Sequence, residues 1–457
     1  MTAAPEGPTP AAKSRSAFRQ PDFVKLWTAA TISLLGTQVT FIAIPVIAVL
    51  ILNATPFEVA LIGTLEFLPF LLFTLPAGVW VDRLPRRRIL ITGDVGRAVL
   101  LATIPVAFFF GFLSIWQLFI VAFVNGIFTV FFDIADQSYL PTVLEKEELV
   151  DGNAKLQASY SIAQVVGQPL GGGIVGFLTA PIAIALDAIS YIVSALLIFA
   201  IRRTERASRP DPAAAVPADE ATPPQIGVPS FAVEAEAARK EAPLARASVR
   251  QEVTEGIHFV LGHRYLRSIA ATTGSANLFN NIAFAILPVF AYRDLGLTPE
   301  VVGLIGGGFG AGALLGAVTA SRVANRFGVG RVIVASSFIS APASLLVPLA
   351  SRETALVLMG GGGLVSGWAN VVYNVNQVSL RQAITPEPML GRMNATMRFI
   401  VWGTIPIGQV ISGLIATAFG TITAIWIGTI GGLFAFLPVL LSPVRSLRRI
   451  EDLQPES

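Results

Sequence analysis

Cysteine is absent from this 457-residue chain, which excludes disulfides, thiol catalysis and thiolate metal sites. Histidine is nearly absent as well: His258 and His263 stand i, i+5 in a polar stretch, a poor spacing for a metal pair, and read better as interfacial side chains. Charge is scarce, at 13% of residues against roughly 25% in a soluble domain. The glycine runs 306–308 and 360–363 lack a following Lys-Ser/Thr and lie in apolar surroundings. They are therefore not phosphate loops, and close helix packing is the better reading. No nucleotide-binding domain is legible, so ATP-driven work is not expected. Met1 to Lys25 is rich in Pro and Ala, without a short apolar core and cleavage site, and no removable signal is expected. Neither a cofactor nor a metal is expected. The formal net charge is only +3, which gives no reason to expect nucleic-acid binding.

What the chain has in abundance is apolar length. Hydrophobic residues make up 53% of it and the mean hydropathy is +0.68, more apolar surface than a water-soluble core can hide. A membrane-crossing helix needs about 20 apolar residues, and twelve segments qualify. They lie near Leu26–Leu52, Val59–Val81, Ile89–Gly111, Ile115–Tyr139, Leu156–Leu178, Ile182–Ile201, Leu266–Ala291, Val301–Ala324, Val332–Leu349, Ala355–Val378, Ala395–Phe419 and Ile422–Leu441. Arg and Lys crowd alternate loops: Arg83–Arg88, the segment after Arg202, Arg322 to Arg331, Arg381 to Arg392, and Arg445 to Arg449. The opposite loops hold little beyond Arg293 and Arg352. The positive-inside rule then puts both termini in the cytoplasm, which requires an even number of spans.

The spans fall into two alike sets. Leu61-Ile62-Gly63, Asp82-Arg83 and Arg88 are echoed by Leu304-Ile305-Gly306, Asn325-Arg326 and Arg331 at one constant offset, and Pro45 by Pro288. Gln137 and Leu140 are echoed by Gln377 and Leu380, while Asn153-Ala154, Gly167 and Gly172 return as Asn394-Ala395, Gly408 and Gly413. The expected division is an amino-terminal arm (1–25), a six-helix bundle (26–201), a cytoplasmic linker (202–265), a second six-helix bundle (266–441) and a tail (442–457). The linker is rich in Ala, Pro, Glu and Arg, with an amphipathic helix expected around Ser248–Leu261. The fold class is thus an all-α membrane protein of twelve transmembrane helices in two pseudo-symmetric six-helix bundles. Duplicated halves of this kind place a binding site between them near the midplane.

One burst of charge interrupts the apolar pattern. Gly78, Asp82, Arg83, Arg86, Arg87 and Arg88 sit where the second span ends and the third begins. This loop, Gly-x-x-x-Asp-Arg-x-x-Arg-Arg, resembles the signature of the major facilitator superfamily. Within it, the chain is similar to the branch containing the enterobactin exporter and macrolide or tetracycline efflux proteins. The resemblance rests on Phe23-x-x-Leu26-Trp27, Ser33-x-x-Gly36, Leu68-Pro69, Ala77-Gly78, Asp94-x-x-Arg97-Ala98 and Phe131-Phe132-Asp133. Leu140-Pro141, Gly167-Gln168-Pro169-Leu170-Gly171-Gly172 and Asp187-Ala188-x-Ser190-Tyr191 extend it. The sequence departs from the pattern twice: Asn325 replaces the acid in the second copy of the loop, and Gln168 stands where the antiporter pattern has its proline. The resemblance implies a secondary transporter working by alternating access, most readily a proton-coupled exporter of amphiphilic small molecules, monomeric, in a bacterial cytoplasmic membrane. Import of a nutrient, or a lipid-handling or non-transport role, stays open. In the family Asp82 would act as a latch near the amino-terminal end of the eleventh span, by Asn394-Ala395, where free N–H groups and the helix dipole favour an anion. The plainer reading of the arginines is topological, with anionic lipid heads as partners.

Ionisable groups inside apolar spans are costly and call for a partner or a task. Glu66 has no opposite charge nearby in sequence and could carry a proton or meet a cationic substrate; a hydrogen-bonded acid in a helix interface is the alternative. Asp94 and Arg97 on the third span and Asp133 and Asp136 on the fourth lie at similar depth, so Arg97 and Asp133 could pair across helices, in a structural or gating charge network or in direct proton coupling. Asp187 is expected to be structural. The family lines its cavity with spans one, four, seven and ten. The polar stripes there are Gln38; Asn125 with Thr129; Asn277 and Asn281 with Phe284; and Asn370, Tyr373, Asn374 and Gln377. Neutral amides with aromatic surface suit an amphiphilic organic molecule; interhelical hydrogen bonding is the plainer role for such residues.

Overall fold

The computed structural model describes residues 16–145, 148–202, 249–386 and 389–448. Most of the linker and both ends of the chain lie outside these residues. The first bundle comprises α1 (Pro21–Val46), α2 (Pro56–Arg83), α3 (Arg86–Phe109), α4 (Ile115–Val143), α5 (Leu149–Leu178) and α6 (Ala180–Phe199). The end of the linker forms α7 (Val249–Gly262). The second bundle comprises α8 (Arg264–Phe284), α9 (Pro299–Phe327), α10 (Val329–Ser344), α11 (Ala355–Ile384), α12 (Leu390–Phe419) and α13 (Thr421–Gly432), the last continued by a turn and a short helix, Leu437–Leu440. Eleven of the twelve predicted spans are long and apolar enough to cross a membrane; the remaining one, α10, is an apolar helix of 16 residues.

Local chemistry sets the helix ends. Thr55 accepts from the Glu58 N–H at 3.3 Å while the Glu58 carboxylate accepts from the Thr55 N–H at 2.7 Å, and Pro56 occupies the first helical position. This reciprocal cap starts α2 three residues before the predicted Val59. At the other end Pro85 disfavours helical backbone at Leu84, so α2 stops at Arg83 and α3 restarts at Arg86. The duplication reaches into backbone detail. Downstream of Pro45 and Pro288 the helices widen into π-turns, Ile47–Ile51 and Phe290–Asp294. Each is closed by a left-handed residue at matching positions, Asn53 (φ 52°) and Gly296 (φ 61°).

The two bundles meet at one end. Contacts between them concentrate on α2 against α12, α5 against α9, and the two π-turns. Lipid offers no hydrophobic drive between helices, so close approach must come from small residues. A Cβ on Gly303 would lie 2.5 Å from the Gln168 carbonyl and one on Gly172 2.3 Å from the Pro299 carbonyl. Gly308 and Gly312 likewise press α9 onto the α11 backbone at Gly360 and Leu364, so the glycine run packs helices as its composition implied.

Candidate functional site

Glu66 is the embedded carboxyl with the clearest placement. It lies ten residues past Pro56, so about 15 Å along α2 at ~1.5 Å per residue, near the middle of a ~30 Å core. Its direction follows from its neighbours. Pro69, about 60° away around the helix, packs on Gly126 of α4. On the other side, about 40° away, Phe70 stacks edge-on with Trp402 of α12 at 5.8 Å. Leu71 and Leu72, which are 41% and 52% exposed, point to the opposite face at ~120–140°. Glu66 therefore faces inward, between the two bundles, and is solvent-accessible there. Among the described residues it has no hydrogen-bonding or charged partner.

The charges of α3 pair within their own helix. Arg97 donates to Asp94 on its own helix at 2.5 Å rather than to Asp133. The i, i+3 spacing brings the two together without any help from α4. The second Asp94 oxygen accepts from Ser194 of α6 at 2.6 Å. The Arg97 guanidinium is sandwiched between Phe132 of α4 at 4.1 Å and Tyr191 of α6 at 4.3 Å. Asp133 and Asp187 lie within electrostatic reach of Arg97, Asp136 within reach of Asp94. Asp187 accepts from Thr40 of α1 and from Ser190 at 3.0 Å, and Tyr191 meets Thr37 at 2.9 Å. One buried polar cluster thus ties α1, α3 and α6 together beside α4. At the matching positions of α10 stand Ser337 and Ser340, so α10 carries no such pair.

The polar stripes are distributed unevenly. On α11, Asn374 donates to Asn370 at 3.1 Å and Gln377 to Asn374 at 3.3 Å, a ladder whose Asn370 end is exposed. Tyr373 meets Thr273 of α8 at 2.7 Å. Asn277 donates to the Val401 carbonyl of α12 at 3.3 Å, and Asn281 to the Asn277 carbonyl at 2.8 Å. These are interhelical or intrahelical bonds. Gln38 packs on Gly167 of α5, Phe284 belongs to an apolar cluster, and the half-buried Asn125 keeps a buried Oδ1 without a partner among the described residues.

In the charged loop, Arg87 donates to the Ile198 and Phe199 carbonyls at the end of α6, at 3.3 and 2.5 Å. Arg83 and Arg88 are exposed, and Gly78 and Arg86 half-buried. The Asp82 backbone belongs to α2; its side chain lies outside what the structure describes. The α12 entry is engaged by the linker: Arg392 pairs with Glu255 of α7 at 2.7 Å, and Gly256 packs on Arg392 and Thr396.

Two sealing devices escaped the sequence reading. Arg293 donates to the Val49 and Ala54 carbonyls, at 3.3 and 2.9 Å, and so crosses from the second bundle to the first. Its counterpart in the first bundle is Leu50. Gln168 lies over Gly306 of α9, and its repeat mate Gln409 over Gly63 of α2. The residue that departs from the antiporter pattern is therefore half of a symmetric contact across the bundle interface. The signal was available, since Gly167-Gln168 returns as Gly408-Gln409.

A family model described as transmembrane secretion effector matches residues 12–221 and 231–457. The chain belongs to this major facilitator family. It is 26% identical over 395 residues to the multidrug efflux pump Tap of Mycolicibacterium fortuitum, covering 84% of this chain and 87% of that one. It is 21% identical over 433 residues to macrolide efflux protein A of Streptococcus pyogenes, covering 94% and 97%. In structure it resembles a bacterial homologue of the iron transporter ferroportin, at 15% identity. The TM-score is 0.69 for the inward-facing form, covering 93% of this chain and 99% of that one, and 0.52 for the outward-facing form, covering 92% and 98%. The chain is a multi-pass membrane transporter of the major facilitator type, not an enzyme.

Proposed function

We propose that this transporter is a proton-coupled exporter of amphiphilic organic molecules, with Glu66 as the group that exchanges a proton for a cationic substrate. The observation that carries the reading is Glu66 itself: an inward-facing carboxyl near mid-span, beside Phe67, Phe70 and Trp402, without a cation among the described residues. Such a carboxyl is neutralised either by a proton or by a bound cation, and the two compete. A proton arriving from one side displaces the substrate, and a substrate arriving from the other displaces the proton, which is exchange. The Asn370–Asn374–Gln377 ladder would supply neutral hydrogen bonds and the aromatics apolar contact. Efflux relatives, Tap and macrolide efflux protein A, support export.

The sealed end is the outer one in this reading. The arginine-rich loops lie at the opposite end, which the positive-inside rule makes cytoplasmic, and the better superposition on an inward-facing transporter accords with it. Closure of the cytoplasmic end would dock Asp82 onto the α12 amino terminus as a latch. The Asp94–Arg97 cluster would hold α1, α3 and α6 as one rigid unit during the rocking of the bundles.

The test is uptake of cationic and neutral amphiphilic dyes into inverted vesicles, with and without an acid interior. Gradient-driven accumulation of cationic dyes, lost in Glu66→Gln, is expected. Asp82→Asn is expected to slow uptake of every substrate alike. Accumulation in Glu66→Gln equal to wild type would remove Glu66 from the coupling step.

A further inference from the structure

The duplicated halves differ where α10 meets the chain that follows α13. In the first bundle the corresponding helices, α3 and α6, pack along their length. Ser194 bonds Asp94, Arg97 stacks on Tyr191, and Arg87 caps the last α6 carbonyls. At the matching positions the second bundle has Ala435 for Ser194, Ser337 for Asp94 and Gly330 for Arg87. Ser337 bonds its own helix at the Ile333 carbonyl. Without such crosslinks, a groove of about 430 Å³ lies between α10 and the chain that follows α13, at the arginine-rich end.

The tail sets one side of that groove. The tail after α13 is strapped to the start of α10, where the Val329 and Gly330 N–H groups donate to the Arg448 and Leu447 carbonyls at 3.2 and 3.0 Å. The strap sets Arg445 at the same groove as Arg331, the first charged residue of α10. Away from these two arginines the lining is apolar, including Ala335, Phe338, Phe436 and Leu440, and among the described residues it contains no acidic one. Phe338 and Phe436 form its floor, edge to face at 5.0 Å. The Arg331 and Arg445 side chains have no hydrogen-bond or ion-pair partner among the described residues. Phe338 is 48% exposed, and neither α10 nor α13 packs closely on the first bundle, so the groove opens outward to the bilayer.

We infer that this groove binds one anionic phospholipid, its phosphate between Arg331 and Arg445 and an acyl chain over Phe338 and Phe436. Seven residues separate Arg331 from Phe338, about 10 Å along α10, which fits within the ~15 Å depth of one leaflet. The head is thus at the interface while the chain points inward. Charge decides the class of lipid. Two guanidiniums with no carboxylate leave net positive charge beside an anionic phosphodiester, whereas a zwitterionic head would bring a further cation to the rim.

The test is native mass spectrometry of the full chain in detergent, titrated in parallel with phosphatidylglycerol and phosphatidylcholine. Wild type is expected to hold one phosphatidylglycerol selectively. Arg331→Gln/Arg445→Gln should weaken it on the order of 30-fold, roughly fivefold per arginine. Arg322→Gln/Arg326→Gln, which removes the same charge outside the groove, should leave it intact. Ala335→Leu keeps both arginines but fills the groove, and should also lose the lipid. Equal retention of both lipids, equal loss in the two arginine pairs, or retention in Ala335→Leu would each overturn the site. So would a dimer, seen by light scattering, that Ala335→Leu dissolves, because a second copy would then be the occupant.

Discussion

Arg293 offers a direct test of what holds the sealed end shut. Its guanidinium donates to the Val49 and Ala54 carbonyls of the opposite bundle, bonds that would have to break in the rocking of the bundles proposed above. A hydrogen bond to a charged group contributes about 1.5–3 kcal/mol, but this side chain is exposed and water competes for it. The pair together is therefore assigned about 1.5 kcal/mol in favour of the sealed arrangement. Arg293→Met removes both bonds while keeping an apolar stem, and should raise the ratio of open to sealed molecules about tenfold. The absence of cysteine makes the measurement simple, because spin labels at Phe112→Cys and Glu353→Cys, on loops of opposite bundles, need no background removed. Double electron–electron resonance should show a longer-distance population growing in Arg293→Met, and Arg293→Lys should fall between. An unchanged distance distribution in Arg293→Met would refute the clamp and leave sealing to the glycine contacts.

The glycine contacts predict a stronger effect of the same sign. Gly303→Val forces side-chain atoms into the α5 backbone at Gln168, so the same labels should report a predominantly open end, with Gly173→Val, whose Cβ meets nothing, as the silent control. In the polar cluster, Arg97→Ala strands the fully buried Asp94 carboxylate and should cost about 3–5 kcal/mol, read as a lowered unfolding temperature in detergent. The double variant Arg97→Leu/Asp94→Leu should recover part of that loss. The half-buried Arg392–Glu255 pair should behave oppositely: Glu255→Gln is expected to change stability by less than about 1 kcal/mol, and a larger loss would mean that α7 depends on it.

Much of this molecule was legible because lipid permits few solutions. Apolar runs bounded by charge or by Gly and Pro must become helices, since a backbone in hydrocarbon has to satisfy its own hydrogen bonds. Spans and close-packing glycines follow from that local rule, the duplication from repeats such as Pro45 and Pro288, and the family from the Gly78–Arg88 loop whose pattern resembles its signature. Partner choice does not. Arg97 could reach Asp133 across helices or Asp94 on its own, and only the packing of Phe132 and Tyr191 against its guanidinium shows which pairing forms. Likewise the inward direction of Glu66 depends on which neighbours on α2 meet α4 and α12, and the reach of Arg293 depends on how two π-turns abut. The sequence by itself determined which residues enter the membrane, because transfer into lipid is a property of each segment alone. Tertiary structure decided which charges meet, which end is sealed and where the groove beside α10 lies, because those depend on distances between segments far apart in the chain.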